Sequence, residues 1–400
     1  MHVLVTGATG FIGSSLVARL LDRGVRVTCL ARGEDGPERA RRAVAEAAAG
    51  FGFDVDPARV EVLPYDFAAV ERDHAPALAD LDAVWHCAAH MTFSNRKLRE
   101  AMDFNVGGTL ALVQMVSRVT GGKARFYYCS TAYTGGVEAA VIDETLHLAP
   151  HLVNPYFVSK WGTEMVLDKL ARDGVLPVTL YRPTLVIGHS ETGWYGGESY
   201  GLYNFLDGVW AGRIAGGGPM RLDLSPATMH NYLPIDDLVY NAIALTELAT
   251  GRAQFEVLIE EGTDNTNAER VAWIAEGLGL ELSFGPPRTV ADHAVDLWVE
   301  VNKPFNRPEA GARPFPFRSG KIAAMLGPAY RHHVLGRDIH LLLSRWYRDH
   351  RLTEIEGKVM GQGPVRAARV AHGAGLPGRL PRRLAGGIVA KAVARAHGLM

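Results

Sequence analysis

The 400-residue sequence predicts an α/β fold: a doubly wound parallel sheet followed by a smaller C-terminal substrate-binding region. Three observations predict it. Through residue 182, short apolar runs alternate with segments of helical period, the pattern of strand–helix–strand units with right-handed crossovers. Most of the runs are continuously apolar, as in strands covered on both faces. A glycine-rich turn joins the first run to the first helical segment. In chain order, strands are expected at His2–Thr6, Arg26–Ala31, Val60–Tyr65, Ala83–Cys87, Ala124–Ser130 and Pro177–Arg182. Helices are expected at Ile12–Arg23, stopped by Gly24, and at Glu38–Ala49, Leu98–Val119 and Tyr156–Arg172.

After Arg182 the regularity stops. Residues 189–232 are rich in glycine and aromatics, among them Trp194, Tyr195, Tyr200, Tyr203, Phe205 and Trp210, and read as a substrate-loop insertion whose aromatics wall a pocket, pack a small core, or do both. A helix follows at Ile235–Leu248, a strand at Phe255–Ile259, a turn from Gly262 to Asn267, and a helix through Leu278. The proline-rich stretch 284–318 reads as irregular connection, and Ile339, Leu342, Leu343 and Trp346 give 338–351 a helical period. The expected division is 1–250 for a dinucleotide-binding domain, 251–356 for the C-terminal substrate-binding region and 357–400 for a basic tail.

Composition narrows the class. At 48% hydrophobic and 21% charged residues the chain can bury a large core. A net charge of −1 argues against nucleic acid as a partner. Cys29, Cys87 and Cys129 are too few for a disulfide scaffold or zinc cluster and read as small buried hydrophobes. No apolar run reaches membrane-span length and no leader precedes His2, so a cytoplasmic, reducing setting is expected. The near-neutral total hides an asymmetry: from Gly357 onward Lys358, Arg366, Arg369, Arg379, Arg382, Arg383, Lys391 and Arg395 meet no acid.

The turn is Thr6-Gly7-Ala8-Thr9-Gly10-Phe11-Ile12-Gly13. Gly7 permits a tight turn, Gly10 a close approach to a pyrophosphate, and Gly13 close packing of helix on sheet. The helix N-terminus offers N–H groups and the positive dipole end to phosphates. Gly7, Thr9, Gly10, Phe11, Ile12 and Gly13 are therefore expected to hold a dinucleotide. The second strand ends Cys29-Leu30-Ala31-Arg32, with Arg32 where an NAD enzyme places an acid for the ribose 2′-hydroxyl. A guanidinium suits a 2′-phosphate, so the expected cofactor is NADPH. Arg39 or Arg42 could add a second contact, Asp66 could accept from the adenine amino group, and Ala88 would lie along the adenosine ribose.

Tyr156 and Lys160, four apart, share a helix face, with Pro155 as a first helical residue. A phenol relays protons poorly near neutrality, and a cation beside it stabilises the phenolate. Tyr156 is the expected proton donor, and Lys160 its partner and a ligand of the nicotinamide ribose. Ser130 and Thr131 both offer hydroxyls at the carboxyl end of the fifth strand, where open sheets bind ligands. One of them is expected on the substrate carbonyl oxygen. Asn105 is expected to bind a backbone carbonyl or water near Lys160, and Pro183 to bring backbone to the carboxamide.

The turn spacing, with Thr-Gly-Ala-Thr-Gly-Phe-Ile-Gly intact, resembles the extended short-chain dehydrogenase/reductases, a Rossmann-fold group. Ser130-Thr131-Ala132-Tyr133, His86-Cys87-Ala88-Ala89, Asn105-Val106-Gly107-Gly108-Thr109 and Cys29-Leu30-Ala31-Arg32 narrow this to the fatty acyl-CoA reductases and thioester reductase domains, with their male-sterility-type NAD-binding domain. The resemblance covers about residues 2–260. It implies Thr131, Tyr156 and Lys160 as the catalytic set, NADPH as cofactor, and an acyl thioester as substrate. The thioester would arrive on CoA or a separate carrier and be reduced to an aldehyde or further to an alcohol. The charge of the basic tail suggests two partners, an acyl carrier protein or an anionic membrane surface, the second making the protein membrane-peripheral, with a merely solvated terminus as the alternative. The oligomeric state is open, a homodimer included. Two alternatives stay open as well: an NADP-dependent alcohol or ketone oxidoreductase of hydroxysteroid or dihydroflavonol type, and a non-catalytic NADP-sensing regulator.

Overall fold

Short unbroken runs of Val, Leu and aromatic residues need cover on both faces, and a central sheet gives it to them. The computed structural model describes residues 1–137, 139–248, 252–298 and 313–352. Seven strands make one parallel sheet: β1 (His2–Thr6), β2 (Arg26–Ala31), β3 (Glu61–Pro64), β4 (Ala83–His86), β5 (Arg125–Cys129), β6 (Val178–Pro183) and β7 (Phe255–Glu260). Their order is β7-β6-β5-β4-β1-β2-β3. Val5 of β1 pairs with Cys29 on one side and Trp85 on the other. β2 and β4 thus leave β1 in opposite directions, and the crevice this opens at the carboxyl ends is where such sheets take ligands. Leu4, Val84, Phe126, Tyr128 and Leu180 point into one core with Leu112, Val116 and Leu167 from the covering helices.

The helices Phe11–Asp22, Gly36–Phe51 and Pro155–Arg172 stand within two residues of their expected starts. The segment expected as one helix from Leu98 is helical throughout but not uniform. Leu98–Met102 passes through a π-helical turn, Asp103–Gly107, into Gly108–Thr120. Among the described residues the structure adds four α-helices where none was expected, one of them the short Lys321–Leu326. Phe67–Leu78 carries Pro76 and buries only Val70 and Leu78, so its apolar stripe is too thin to read. Leu202–Gly216 lies in the aromatic insertion and buries nearly every side, so it shows no amphipathic period. Val290–Trp298 lies within the stretch read as irregular connection.

The chain forms two compact units. The first takes Met1–His189, Asn231–Thr263 and Phe315–Val334, and holds the seven-stranded sheet. The second is made, among the described residues, of Ser190–His230 and parts of 264–314 and 335–352. In it, Leu202–Gly216 packs on Val290–Trp298 at Gly212, where a Cβ would stand 2.5 Å from Val295 Cγ2 and 2.7 Å from Met220 Sδ. The insertion's aromatics form its core: the Tyr195 and Tyr203 rings stack at 3.5 Å, both touch the Tyr347 ring, and Arg270 lies 4.6 Å over Phe205. Among the described residues no helix is long and apolar enough to cross a membrane. The basic tail 357–400 lies outside the described residues.

Candidate active site and cofactor cradle

The turn after β1 is built for backbone to lie against backbone. Gly7 has φ +79°, and a Cβ on it would stand 2.6 Å from Ala88 N and 2.8 Å from Cys87 C. A Cβ on Gly13 would stand 2.2 Å from Gly7 O. Gly10 donates to Gly7 O at 2.9 Å and caps the helix Phe11–Asp22 without a side chain, with no acid in the first turn. The positive dipole end is left for an anion. Ala88 N donates to Thr6 Oγ1 at 3.3 Å, which ties the small residues after β4 to the turn. The cradle fits a dinucleotide.

Beyond the end of β2 the Arg32 guanidinium lies 4.8 Å over the Phe104 ring. Phe104 and Tyr65 lie near parallel, 6.2 Å apart. Among the described residues Tyr65 Oη is buried without a hydrogen-bond partner, and burial pushes this phenol up to about 12. Neither Tyr65 nor Phe104 stood out in the sequence; only the π-helical turn brings Phe104 to Arg32 and Tyr65. Arg39 is tied to Asp35 at 2.9 Å and to Arg32 O at 2.6 Å. Asp66 caps the helix Phe67–Leu78, its Oδ1 accepting from Ala69 N at 3.1 Å.

The helix that carries Tyr156 and Lys160 begins cleanly. Asn154 Oδ1 accepts from Phe157 N at 2.8 Å and Pro155 takes the first helical place. Tyr156, next in line, donates its N–H to Thr92 O at 3.1 Å. One turn on, Lys160 is buried, its Nζ donating to Cys129 O at 2.6 Å and lying 4.5 Å from the Tyr128 ring centre and 6.0 Å from that of Tyr156. Burial lowers the Lys160 ammonium's affinity for its proton, against the pull of Cys129, Cys87 and Glu164. Cys129 is buried as expected, whereas Cys87 is only partly buried. Cys29 is the buried hydrophobe expected, its thiol raised to about 12.

Ser130 and Thr131 part company here. Ser130 Oγ donates to Glu164 Oε1 at 2.5 Å. Thr131 Oγ1 accepts from Tyr133 N at 3.4 Å and, among the described residues, donates to no acceptor. Asn105 is buried; its Oδ1 accepts from His90 N at 2.7 Å, and its Nδ2 donates to His90 O at 3.0 Å and Ser159 Oγ at 2.8 Å. It thereby joins the π-helical turn to the residue beside Lys160. His86 bridges Thr6 Oγ1 at 2.6 Å and Thr109 Oγ1 at 2.8 Å, and burial holds it down near a pKa of about 3, a neutral strut. Pro183 closes β6 opposite Glu260. Thr131, Tyr156, Lys160 and Asn105 thus gather around the carboxyl edge of β4 and β5, next to the glycine turn.

A family model described as Male sterility protein matches residues 5–239. The chain belongs to this family. The family's domain is an NAD-binding one. The chain is 34% identical over 211 residues to the hybrid PKS-NRPS synthetase mycA of Thermothelomyces thermophilus, 46% of this chain and 5% of the synthetase. It is 27% identical over 302 residues to the aldehyde reductase lnaA of Aspergillus flavus, 69% of this chain and 28% of that protein. A Drosophila melanogaster protein described as a fatty acyl-CoA reductase is 24% identical over 271 residues, 56% of this chain and 49% of the relative. The chain therefore spans half or less of each of these relatives. Among solved structures, the terminal R domain of the myxalamid PKS-NRPS pathway superposes with a TM-score of 0.70 at 21% identity, covering 88% of this chain and 91% of that one. The fold is also that of UDP-glucuronic acid 4-epimerase from Bacillus cereus, solved with NAD, at a TM-score of 0.63 and 17% identity over 87% of this chain and 99% of that one.

Proposed function

We propose that this chain uses NADPH to reduce an acyl thioester, releasing a thiol and an aldehyde. The observation that carries the reading is the division of labour at the end of β5, in a chain of this family: Ser130 Oγ is taken by Glu164, whereas the Thr131 hydroxyl accepts only from Tyr133 N. Bound reduced nicotinamide supplies a hydride to the thioester carbonyl carbon. Thr131 donates a hydrogen bond to the carbonyl oxygen, and Tyr156 gives that oxygen a proton as its charge develops. Lys160, held by Cys129 O, keeps a cation beside the phenol so that the phenolate left behind is stabilised. The hemithioacetal so formed breaks its C–S bond and loses thiol, leaving aldehyde. A second hydride and proton would give the alcohol.

Arg32 supports NADPH over NADH, since a guanidinium and not an acid stands immediately after β2. Arg32→Asp is expected to weaken NADPH binding by roughly 10- to 100-fold, the worth of one charge-assisted bidentate contact, and to spare NADH. Equal binding of both cofactors to the unaltered chain, by fluorescence titration, would remove the NADPH assignment. The reaction itself is tested by incubating the protein and NADPH with acyl-CoA, acyl-carrier, aldehyde and ketone panels and identifying products by mass spectrometry. Aldehyde and free thiol in equal amounts support the proposal. Turnover of ketones without any thioester would favour an alcohol or ketone oxidoreductase instead.

A further inference from the structure

The proposed chemistry leaves one part of this edge of the sheet without a role: a buried ion pair one helical turn beyond Lys160. The Glu164 and Arg182 side chains are both at 0% exposure, and they meet through two bonds, Nη2 to Oε2 at 2.6 Å and Nε to Oε1 at 2.9 Å. Burying two charges costs several kcal/mol per ion, and an apolar pair of the same volume is often as stable. Stability alone is therefore a poor account of the pair.

Its other contacts are specific. Glu164 Oε1 also accepts from Ser130 Oγ at 2.5 Å and from Thr134 Oγ1 at 3.3 Å. These residues flank Thr131, one before it and one three after it, and Thr134 Oγ1 bonds Thr131 O at 3.1 Å as well. Arg182 Nη1 donates to Thr145 O at 2.8 Å and Asp143 O at 3.4 Å, in the connection that leads to the catalytic helix. Five pieces of backbone meet at the pair: the end of β5, the 3-10 turn Ala132–Gly135, that connection, the catalytic helix and β6.

We propose that the Glu164–Arg182 pair is the positioning device for the Thr131 hydroxyl. It grips Ser130 and Thr134, so fixing the backbone on which Thr131 sits, and it occupies the adjacent Ser130 hydroxyl, which would otherwise compete for the substrate oxygen. Glu164 and Arg182 are positioning residues; neither meets the substrate. A donor must be held within roughly half an ångström of its productive place, and a misplacement of about 1 Å can cost on the order of 100-fold in rate.

This inference rests on the role given to Thr131, and its test separates the two. Glu164→Gln, Ser130→Ala, Thr131→Ala and the Glu164→Gln/Thr131→Ala double variant are compared with the unaltered protein well below their melting temperatures. The readouts are kcat and KM for a carbonyl substrate found active, and NADPH affinity by fluorescence. Glu164→Gln is expected to lower kcat on the order of 10-fold or more with NADPH affinity within about twofold, and Ser130→Ala, which leaves the ion pair in place, to lower it several-fold. In the Thr131→Ala background Glu164→Gln is expected to add little, because the hydroxyl it positions is gone. Losses that multiply, or a lowered melting temperature with kcat unchanged, overturn the proposal and leave the pair a structural one. If Glu164→Gln does not fold, Ser130→Ala against Thr131→Ala completes the same cycle. A protein that binds NADPH and reduces ketones but no thioester strikes the proposed substrate alone, and the cycle then runs on the ketone. If no carbonyl is reduced, both proposals fall.

Discussion

Gly13 shows how much of the site a single residue can announce. A glycine one turn into a helix costs about 1 kcal/mol against alanine, so its presence calls for a reason. The reason is a carbonyl: Gly7 O would lie 2.2 Å from any Cβ placed there. Gly13→Ala is expected to shift the turn and weaken NADPH binding at least tenfold, read by fluorescence titration, while far-ultraviolet circular dichroism stays close to that of the unaltered chain. Unchanged affinity would mean that the turn does not contact the pyrophosphate. Other residues carried no such announcement. Ser130 and Thr131 are equal hydroxyls by residue type, and in the sequence only the family resemblance favoured Thr131. What separates them is Glu164, 34 positions away, which takes one and leaves the other. Tyr65 and Phe104 were silent for the same reason, since their chemistry lies in the meeting of β3's end with a π-helical turn.

Among the elements, those with one clear buried face or two were legible and those with none were not. The strands declared themselves as apolar runs, and the catalytic helix by its cap and proline. Leu202–Gly216, wrapped on all sides, and Phe67–Leu78, barely covered, gave no period to read. The π-helical turn Asp103–Gly107 was invisible too. Its physical use is to carry Asn105, whose three hydrogen bonds tie the strap at His90 and Ser159 beside the catalytic lysine. The start of the catalytic helix gives a direct test. Asn154→Ala removes the bond to Phe157 N and is expected to cost about 1 kcal/mol in denaturant unfolding. It should lower kcat more than NADPH affinity, because Tyr156 stands in the turn that frays. An unaltered kcat would show that the cap serves stability alone.

For the whole molecule, the strand order puts the switch point between β1 and β4. The glycine turn, Ala88, the end of β5 and the catalytic helix all converge on that edge. That the sheet is parallel and doubly wound was legible in the alternation of strand and helix, whereas the strand order itself was not read. The interleaving of two units through the second half was not, because it is decided by packing between segments far apart in the chain. Buried histidines give the molecule a pH signature. Burial holds His86 at about 3 and His340 at about 4, below the ordinary value of about 6.5 that both regain on unfolding. Between pH 6.5 and these values the unfolded chain takes up protons that the folded one refuses, so stability is present above pH 6.5 and is lost as the pH falls. Each histidine contributes a slope of up to about 1.4 kcal/mol per pH unit. Glu260, pushed up by burial, works in the opposite sense as the pH rises. His86→Gln should therefore flatten the loss of stability between pH 6 and 4 in denaturant titrations; a slope identical to that of the unaltered chain would mean that His86 is not the strut described.

The central claim is that Tyr156 delivers the proton that completes reduction of a thioester carbonyl. The most direct measurement is NADPH consumption with an acyl thioester, following thiol release and aldehyde formation together, in the unaltered protein and in Tyr156→Phe. The account predicts one thiol and one aldehyde per NADPH, and a loss of roughly 100- to 10,000-fold in kcat for the phenylalanine variant with NADPH affinity intact. Turnover that survives the loss of the phenol would contradict it.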